Sequence, residues 1–449
     1  MKDKPILMRL KKAANYIYVL LGALVLFMPA LLNGYPILNN DDATYLWAGF
    51  TPTTPIDRPI AYGIFLRIFS FNGVTLFTCA FAQCWLMSWL LHRVFKRVVT
   101  GDKYNLYALA ATIILAGSSS LSWISSEILP DFLTPVALLA LALILLQQET
   151  RSTTALLFFI YAACISTHMS HVSIYTLVLL ITLLFRKKLF AQEQLRIATQ
   201  RIGLALFLTL GCIFTMGYAI ANSKHVFGMG AILEQGILKP YLDETCPTEH
   251  YRICDYKDNL IENANYFLWV PESPIFKTGG WEANKDEYNK ILKGTYTSPK
   301  YLAMRIKMSF VVTWRQLLDF RIGDGNYPVD LLNRVRQYVP GDERAFRAAV
   351  QHQDQLLPLL PLPNKIIITT VIISLVVLLA QLFLLKNSNK AFTLFVFLAV
   401  TATAVNIWAC ATMGQVNGRY GCRVMWLIPL CALIGLAQQF SARKEAVAQ

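Results

Sequence analysis

The chain of 449 residues is 55% hydrophobic and only 15% charged, with 41 Lys and Arg against 27 Asp and Glu. Soluble domains carry about 25% charged residues, so this composition excludes an ordinary soluble protein and marks an integral membrane protein. The net charge of +14 raises nucleic-acid binding as an alternative, and the distribution of that charge removes it.

Apolar runs fall at 16–34, 73–91, 104–122, 132–147, 153–167, 172–185, 200–220, 364–385, 391–411 and 424–440. Several are shorter than the roughly 20 residues an upright helix needs to cross a bilayer. The two weakest, 153–167 and 172–185, are split only by His168-Met169-Ser170-His171 and read as a tight helical hairpin. The expected fold class is an all-α polytopic membrane protein of about ten transmembrane helices with a mixed, mostly helical external domain. A seven-span module covers 1–221, the external domain 222–363, and three closing spans and a tail 364–449.

Segments 1–12, 92–103, 147–152, 186–201, 386–390 and 441–449 hold 19 Lys and Arg against five acids. That surplus equals the whole net charge, and the opposite loops balance to zero. Cytoplasmic loops carry such excess, which puts both termini in the cytoplasm and residues 222–363 outside. The charge therefore reports orientation and not a nucleic-acid partner. No small-residue cleavage site follows the first apolar run, which reads as a retained helix.

The first external loop, residues 35–60, carries Asp41 and Asp42 just beyond the first span. Unpaired carboxylates near hydrocarbon are costly and tend to be paired, metal-bound or functional. Thr51-Pro52-Thr53-Thr54-Pro55-Ile56-Asp57-Arg58-Pro59 cannot be regular helix, and Ile60 to Phe69 is an apolar helix too short to span separately. This pattern wraps a loop over the membrane surface and brings Asp41, Asp42 and Arg58 near one another. Glu127 and Asp131 form a second acidic pair after the third span, on the same side. Asp57 and the cations Arg58, Arg67, His168, His171, Arg419 and Arg423 share that face.

A carboxylate within hydrogen-bond reach can deprotonate or position a hydroxyl. Arginine suits a phosphate because its planar fork donates two parallel hydrogen bonds. Together these parts fit transfer from a lipid-linked phosphate donor to a hydroxyl. Each residue also has a plainer role. Asp42 or Asn40 can cap a helix starting near Ala43, Glu127 can pair an arginine, and Arg419 can anchor the last span at the headgroups. His168 and His171 are close enough for joint metal binding, or serve only as interfacial hydrogen-bonding groups. A magnesium or manganese ion between Asp41 or Asp42 and Glu127 is compatible with these residues and not required by them. No phosphate-binding Gly-x-x-x-x-Gly-Lys loop and no serine nucleophile elbow occurs.

Farther along, Cys246 and Cys254 stand apart from the seven cysteines elsewhere, in a polar stretch with no hydrophobic core expected around them; in an oxidising compartment they can close a disulfide. Ala303 to Phe320 reads as a helix with basic and aromatic residues, either lying on the headgroups or packed in the domain core. Pro358, Pro361 and Pro363 stiffen the return to the membrane.

A first helix, an external loop bearing Asp41-Asp42 with downstream Asp57-Arg58-Pro59, and an acidic motif after the third helix resemble the GT-C superfamily of integral membrane glycosyltransferases. The likeness is to the branch that includes GtrII-type O-antigen glucosyltransferases, and covers the topology of residues 1–221. It implies a bacterial inner-membrane enzyme with a periplasmic 222–363 segment. It implies a polyprenyl-phosphate sugar as donor and a glycan or lipid-linked acceptor. By that resemblance Asp41 or Asp42 would be the general base and Glu127 and Asp131 the second acidic motif; the chemistry of the residues themselves offers Arg58, His168, His171, Arg419 and Arg423 as the donor-phosphate cations. The spacing of four between Glu127 and Asp131 departs from the adjacent acids of that motif, with Pro130 between them. The rival functions are a transporter or flippase of lipid-linked glycans and a non-catalytic scaffold. Spans almost free of ionisable residues disfavour a transport path.

Overall fold

A computed structural model describes residues 4–326, 331–383 and 389–448. Among them there are helices and no strands, with one isolated parallel bridge joining Ile37 to Glu127. Much of the basic segments 1–12, 386–390 and 441–449 falls outside the described residues or their described side chains.

Each of the ten apolar runs coincides with a helix. Along the first half these are α1 (Lys4–Asn33), the short α2 (Asp42–Phe50) and α3 (Ala61–Phe69), α4 (Phe77–Val98), α5 (Tyr104–Ser118), α6 (Leu121–Ser126), α7 (Leu133–Leu146), α8 (Arg151–Ile165), α9 (Met169–Leu189) and α10 (Gln192–Glu234). Then come α11 (Leu238–Glu249), α12 (Ala264–Trp269), α13 (Pro274–Lys277), α14 (Gly280–Ala283), α15 (Lys285–Thr297) and α16 (Pro299–Leu318). The chain closes with α17 (Leu332–Tyr338), α18 (Glu343–Ala348), α19 (Pro361–Phe383), α20 (Lys390–Met413), α21 (Gly418–Met425) and α22 (Leu427–Ala448). Six segments are long and apolar enough to cross a membrane: Asn15–Asn33, α9, α10, α19, α20 and Gly418–Ala442. Helices α5 and α8 and the segment Pro130–Leu146 are apolar but shorter. The chain is thus a multi-pass, all-α membrane protein.

The domain boundary expected at 221 is not a break. Helix α10 runs through it for 43 residues, about 64 Å at 1.5 Å per residue. Hydropathy falls where a helix leaves hydrocarbon, and backbone hydrogen bonding continues regardless. Nor is 222–363 one domain. Residues from Val226 to Tyr301 build their own apolar core, whereas Leu331, Val335, Tyr338 and Phe346 join the main core with α1, α2 and α4. Cys246 and Cys254 are joined as a disulfide and pack at the edge of that second core, not in polar isolation.

Helices α2 and α3 cross at Gly49 and Gly63, where a Cβ on either would collide with the backbone of the other. Only glycine permits this approach. It folds residues 51–60 back so that the stretch after Asp42 returns beside it, and the rings of Tyr45 and Tyr62 meet edge-on at 5.1 Å. Pro361 opens α19, a position where its missing N–H costs nothing.

Candidate functional site

The first loop and the acidic loop are stitched together before any charge is considered. Ile128 N donates to Ile37 O at 2.9 Å. Gln83, buried on α4, donates through Nε2 to the carbonyls of Ser125 and Glu127 and accepts from the Tyr62 hydroxyl. Gln351 holds Leu38 from the other side, accepting its N–H at 3.0 Å and donating to its carbonyl. Two loops separated by more than eighty residues are held by buried polar groups with matched partners, the condition for a rigid polar network.

On this frame sits a chain of alternating charges. Arg58 contacts Asp41 at 3.0 Å and Asp57 at 2.6 Å. Asp41 in turn contacts Arg419 at 3.2 Å, and Arg419 Nε lies 3.5 Å from Asp131. Asp131 also pairs with Arg423. The Arg419 Nε contact is an ion pair without hydrogen-bond geometry, so that N–H keeps no hydrogen-bond partner. Tyrosine faces back the guanidinium groups, Tyr45 under Arg58 at 5.1 Å and Tyr420 under Arg419 at 5.3 Å.

Exposure separates the two adjacent acids. The Asp41 side chain is 31% accessible, whereas Asp42 is completely buried. Desolvation alone would raise the Asp41 carboxyl, but Arg58 and then Arg419 outweigh it and hold it well below the usual carboxylate range. Asp42 is pushed up by burial, opposed by the Asn39 N–H that it accepts at 2.7 Å. Its other oxygen has no partner. The helix-capping role open to Asp42 is not the one it plays: α2 starts at Asp42 itself and its N-cap, Asp41, makes no side-chain cap.

Glu127 is buried, and desolvation pushes it up to about 7 against a hydrogen bond from Asn326. Asn326 Nδ2 reaches Glu127 Oε1 at 2.6 Å and Leu38 O at 3.0 Å. Gly325, at φ +80° with the Asn39 amide against it, makes the turn that delivers Asn326. Among the described residues Glu127 makes no ion pair, so the arginine partner considered for it is replaced by an amide. Pro130 opens a short 3-10 turn that carries Asp131, so the four-residue spacing does not place the two acids on one helical face.

The remaining cations divide. Arg423 is fully buried, with Asn406, Ser170 and Cys410 around its other nitrogens. It lies beneath Asp131 and has no open face for a phosphate. His171 is also buried, one ring nitrogen against Cys164 O at 2.8 Å and the other against Thr134 at 2.7 Å, which leaves neither for a ligand. His168 caps α9 through the Ser170 N–H, and burial pushes it down to about 4 despite Asp131, so it is neutral near pH 7. Arg67 lies elsewhere, on Asn72 and the Phe50 ring.

Among the described residues no three His, Cys, Asp or Glu are grouped to hold a metal ion. The exposed carboxylate, Asp41, already carries two guanidinium partners, a donor set suited to an anion. A mostly apolar cavity of about 300 Å³ is lined among others by Leu32, Trp123, Ile322, Leu360 and Ile367, and by none of the residues of the charge chain.

Sequence reading missed Asn326, Gln351, Gln83 and Asn406. Gln83 and Asn406 each had a signal, a lone amide within the apolar runs 73–91 and 391–411, since polar groups inside spans seek partners.

These features define a multi-pass helical membrane protein whose inter-helix charge network reaches the surface at Asp41 and Arg419. The chain matches no family model, no characterised protein and no solved structure.

Proposed function

We propose that the protein is a membrane glycosyltransferase that moves a sugar from a polyprenyl-phosphate carrier to an acceptor hydroxyl outside the cytoplasm. In this reading the chain crosses the membrane ten times with both termini cytoplasmic, in a bacterial inner membrane. The observation that carries it is the setting of Asp41: a carboxylate 31% accessible and flanked by Arg58 and Arg419.

The acceptor hydroxyl hydrogen-bonds Asp41 and attacks the sugar's anomeric carbon. The bond from that carbon to the phosphate oxygen breaks as the new glycosidic bond forms. The hydroxyl proton becomes strongly acidic as its oxygen bonds to carbon and so passes to Asp41, although Arg58 and Arg419 make that carboxylate a weak base; the polyprenyl phosphate leaves with its added negative charge facing Arg419. Preorganised donors aimed at developing charge are the strongest lever available to such a site. Asp131 and Arg423 hold Arg419 in place, Glu127 and Asn326 hold the acidic loop, and the apolar cavity suits a hydrocarbon tail.

The test is turnover by the purified full-length protein in vesicles supplied with polyprenyl-phosphate sugars and glycan acceptors. Release of polyprenyl phosphate with a glycosylated product is expected. Movement of lipid-linked glycan between leaflets without bond transfer would establish the transporter instead, and neither activity across a panel of donors would leave the scaffold.

A further inference from the structure

Helix α16 packs along α20, one of the helices able to cross a membrane. Trp408 Nε1 of α20 donates to Ser309 Oγ at 3.0 Å, and two turns farther on Gln316 exchanges hydrogen bonds with Asn417 beyond the end of α20. The inward face of α16 is Tyr301, Val312 and Gln316. Its outward face is apolar: Leu302, Ile306, Phe310, Trp314, Leu317 and Leu318 are all exposed, Phe310 by 74% and Trp314 by 61%. At about 100° per residue these six lie within an arc of roughly 160°. A surface helix of a water-facing domain shows the reverse pattern, with polar residues outward.

Three observations say what covers this face. The apolar surface continues onto Val400, Trp408 and Met413 of α20, exposed on a helix apolar enough for lipid. Cations flank the stripe: exposed Lys307 falls just inside one margin of that arc and Arg315 beyond it, and Arg305, stacked on Tyr296 at 3.9 Å, lies beyond the other margin. An aromatic residue, Trp314, stands near the helix end, where amphipathic rings favour the headgroup level. We infer that α16 is a lipid-embedded helix, its outer face seated in the acyl-chain boundary and its basic edges on anionic headgroups. This chooses between the two roles open to the 303–320 segment. The inference does not rest on glycosyl transfer, and holds equally for a transporter.

The experiment uses the full-length protein in vesicles of phosphatidylcholine and phosphatidylglycerol, spin-labelled at Phe310→Cys, Trp314→Cys or, as a control on the neighbouring α15, the exposed Lys293→Cys. Collision with oxygen, which partitions into hydrocarbon, is compared with collision with a water-soluble nickel chelate. Oxygen should dominate at positions 310 and 314 and the chelate at 293. Chelate dominance at 310 and 314 would overturn the inference, placing the face in water. Exclusion of both reagents there would also overturn it, in favour of a second protein surface. The seven unpaired native cysteines are buried, and labelling of the unsubstituted protein corrects for any that react.

Discussion

The guanidinium of Arg419 lies 3.2 Å from the carboxylate of Asp41, although 378 residues separate them in the chain. The pair closes the two ends of the protein over one another: the loop after α1 meets the start of α21. Its consequence is that Asp41 stays ionised while remaining reachable, and that Arg419 is positioned by acids on two different elements.

Replacement of Asp41 by Asn keeps its shape and removes proton acceptance. Turnover should fall by about a hundred- to ten-thousand-fold, the usual worth of a general base, with some drop in the thermal midpoint because Arg58 and Arg419 lose a charged partner. Asp42→Ala should behave differently, because it strips the buried Asn39 N–H of its acceptor at a cost of about 1–3 kcal/mol. Paired turnover and melting measurements separate the two. Normal transfer by Asp41→Asn would remove it from the mechanism.

The arginines should also divide. Arg419→Lys loses the planar fork, so donor-lipid affinity should drop while the protein remains folded. Arg423→Met leaves Asp131 buried with one partner fewer, and breaking a buried pair costs about 3–5 kcal/mol. Its primary effect should therefore be on stability in a detergent melt. Equal affinity in wild type and Arg419→Lys would shift the phosphate role to Arg58.

Glu127 makes stability pH-dependent with an uncommon sign. Its folded-state value is raised to about 7 by burial, so between the ordinary carboxylate range and pH 7 the folded state binds more protons than the unfolded one. Stability from this group is full at low pH and is lost as pH rises through about 7. Glu127→Gln keeps an acceptor for Asn326 and removes the titration. Wild type should lose thermal stability between pH 5 and pH 8 relative to that variant; parallel curves would contradict the assignment.

Orientation is open to direct labelling. Ser298→Cys, at the junction of α15 and α16, and Glu193→Cys, at the start of α10, should react with an impermeant thiol reagent from opposite faces of sealed vesicles. Labelling of both from one face would defeat the ten-crossing arrangement.

The Cys246–Cys254 bond closes a short loop, worth roughly 2–3 kcal/mol in the chain-entropy picture. Reduction should lower the melting midpoint of the second core and leave transfer chemistry intact. Non-reducing peptide mapping of protein from an oxidising compartment should recover the linked pair.

Apolar run length was enough to locate the long helices, because burial in lipid or in a helical core demands apolar side chains continuously along the chain; short helices such as α11–α15, α17 and α18 carried no such run. The glycine crossing of α2 and α3 was partly legible: the prolines of 51–59 announced a loop, but neither Gly49 nor Gly63 announced its partner. Domain limits were not legible, since α10 passes from one core into the next without a break in backbone pairing. Class of protein, the long apolar helices, the asymmetric charge and the two acidic pairs follow from the amino-acid order alone. The packing of distant segments decides that Asp41 is partly open and Asp42 enclosed, that Arg419 keeps 17% of its side chain accessible while Arg423 keeps none, and that Asn326 supports Glu127. Exposure, pairing and the local field depend on which distant segments arrive beside a residue, and sequence neighbours carry no record of that.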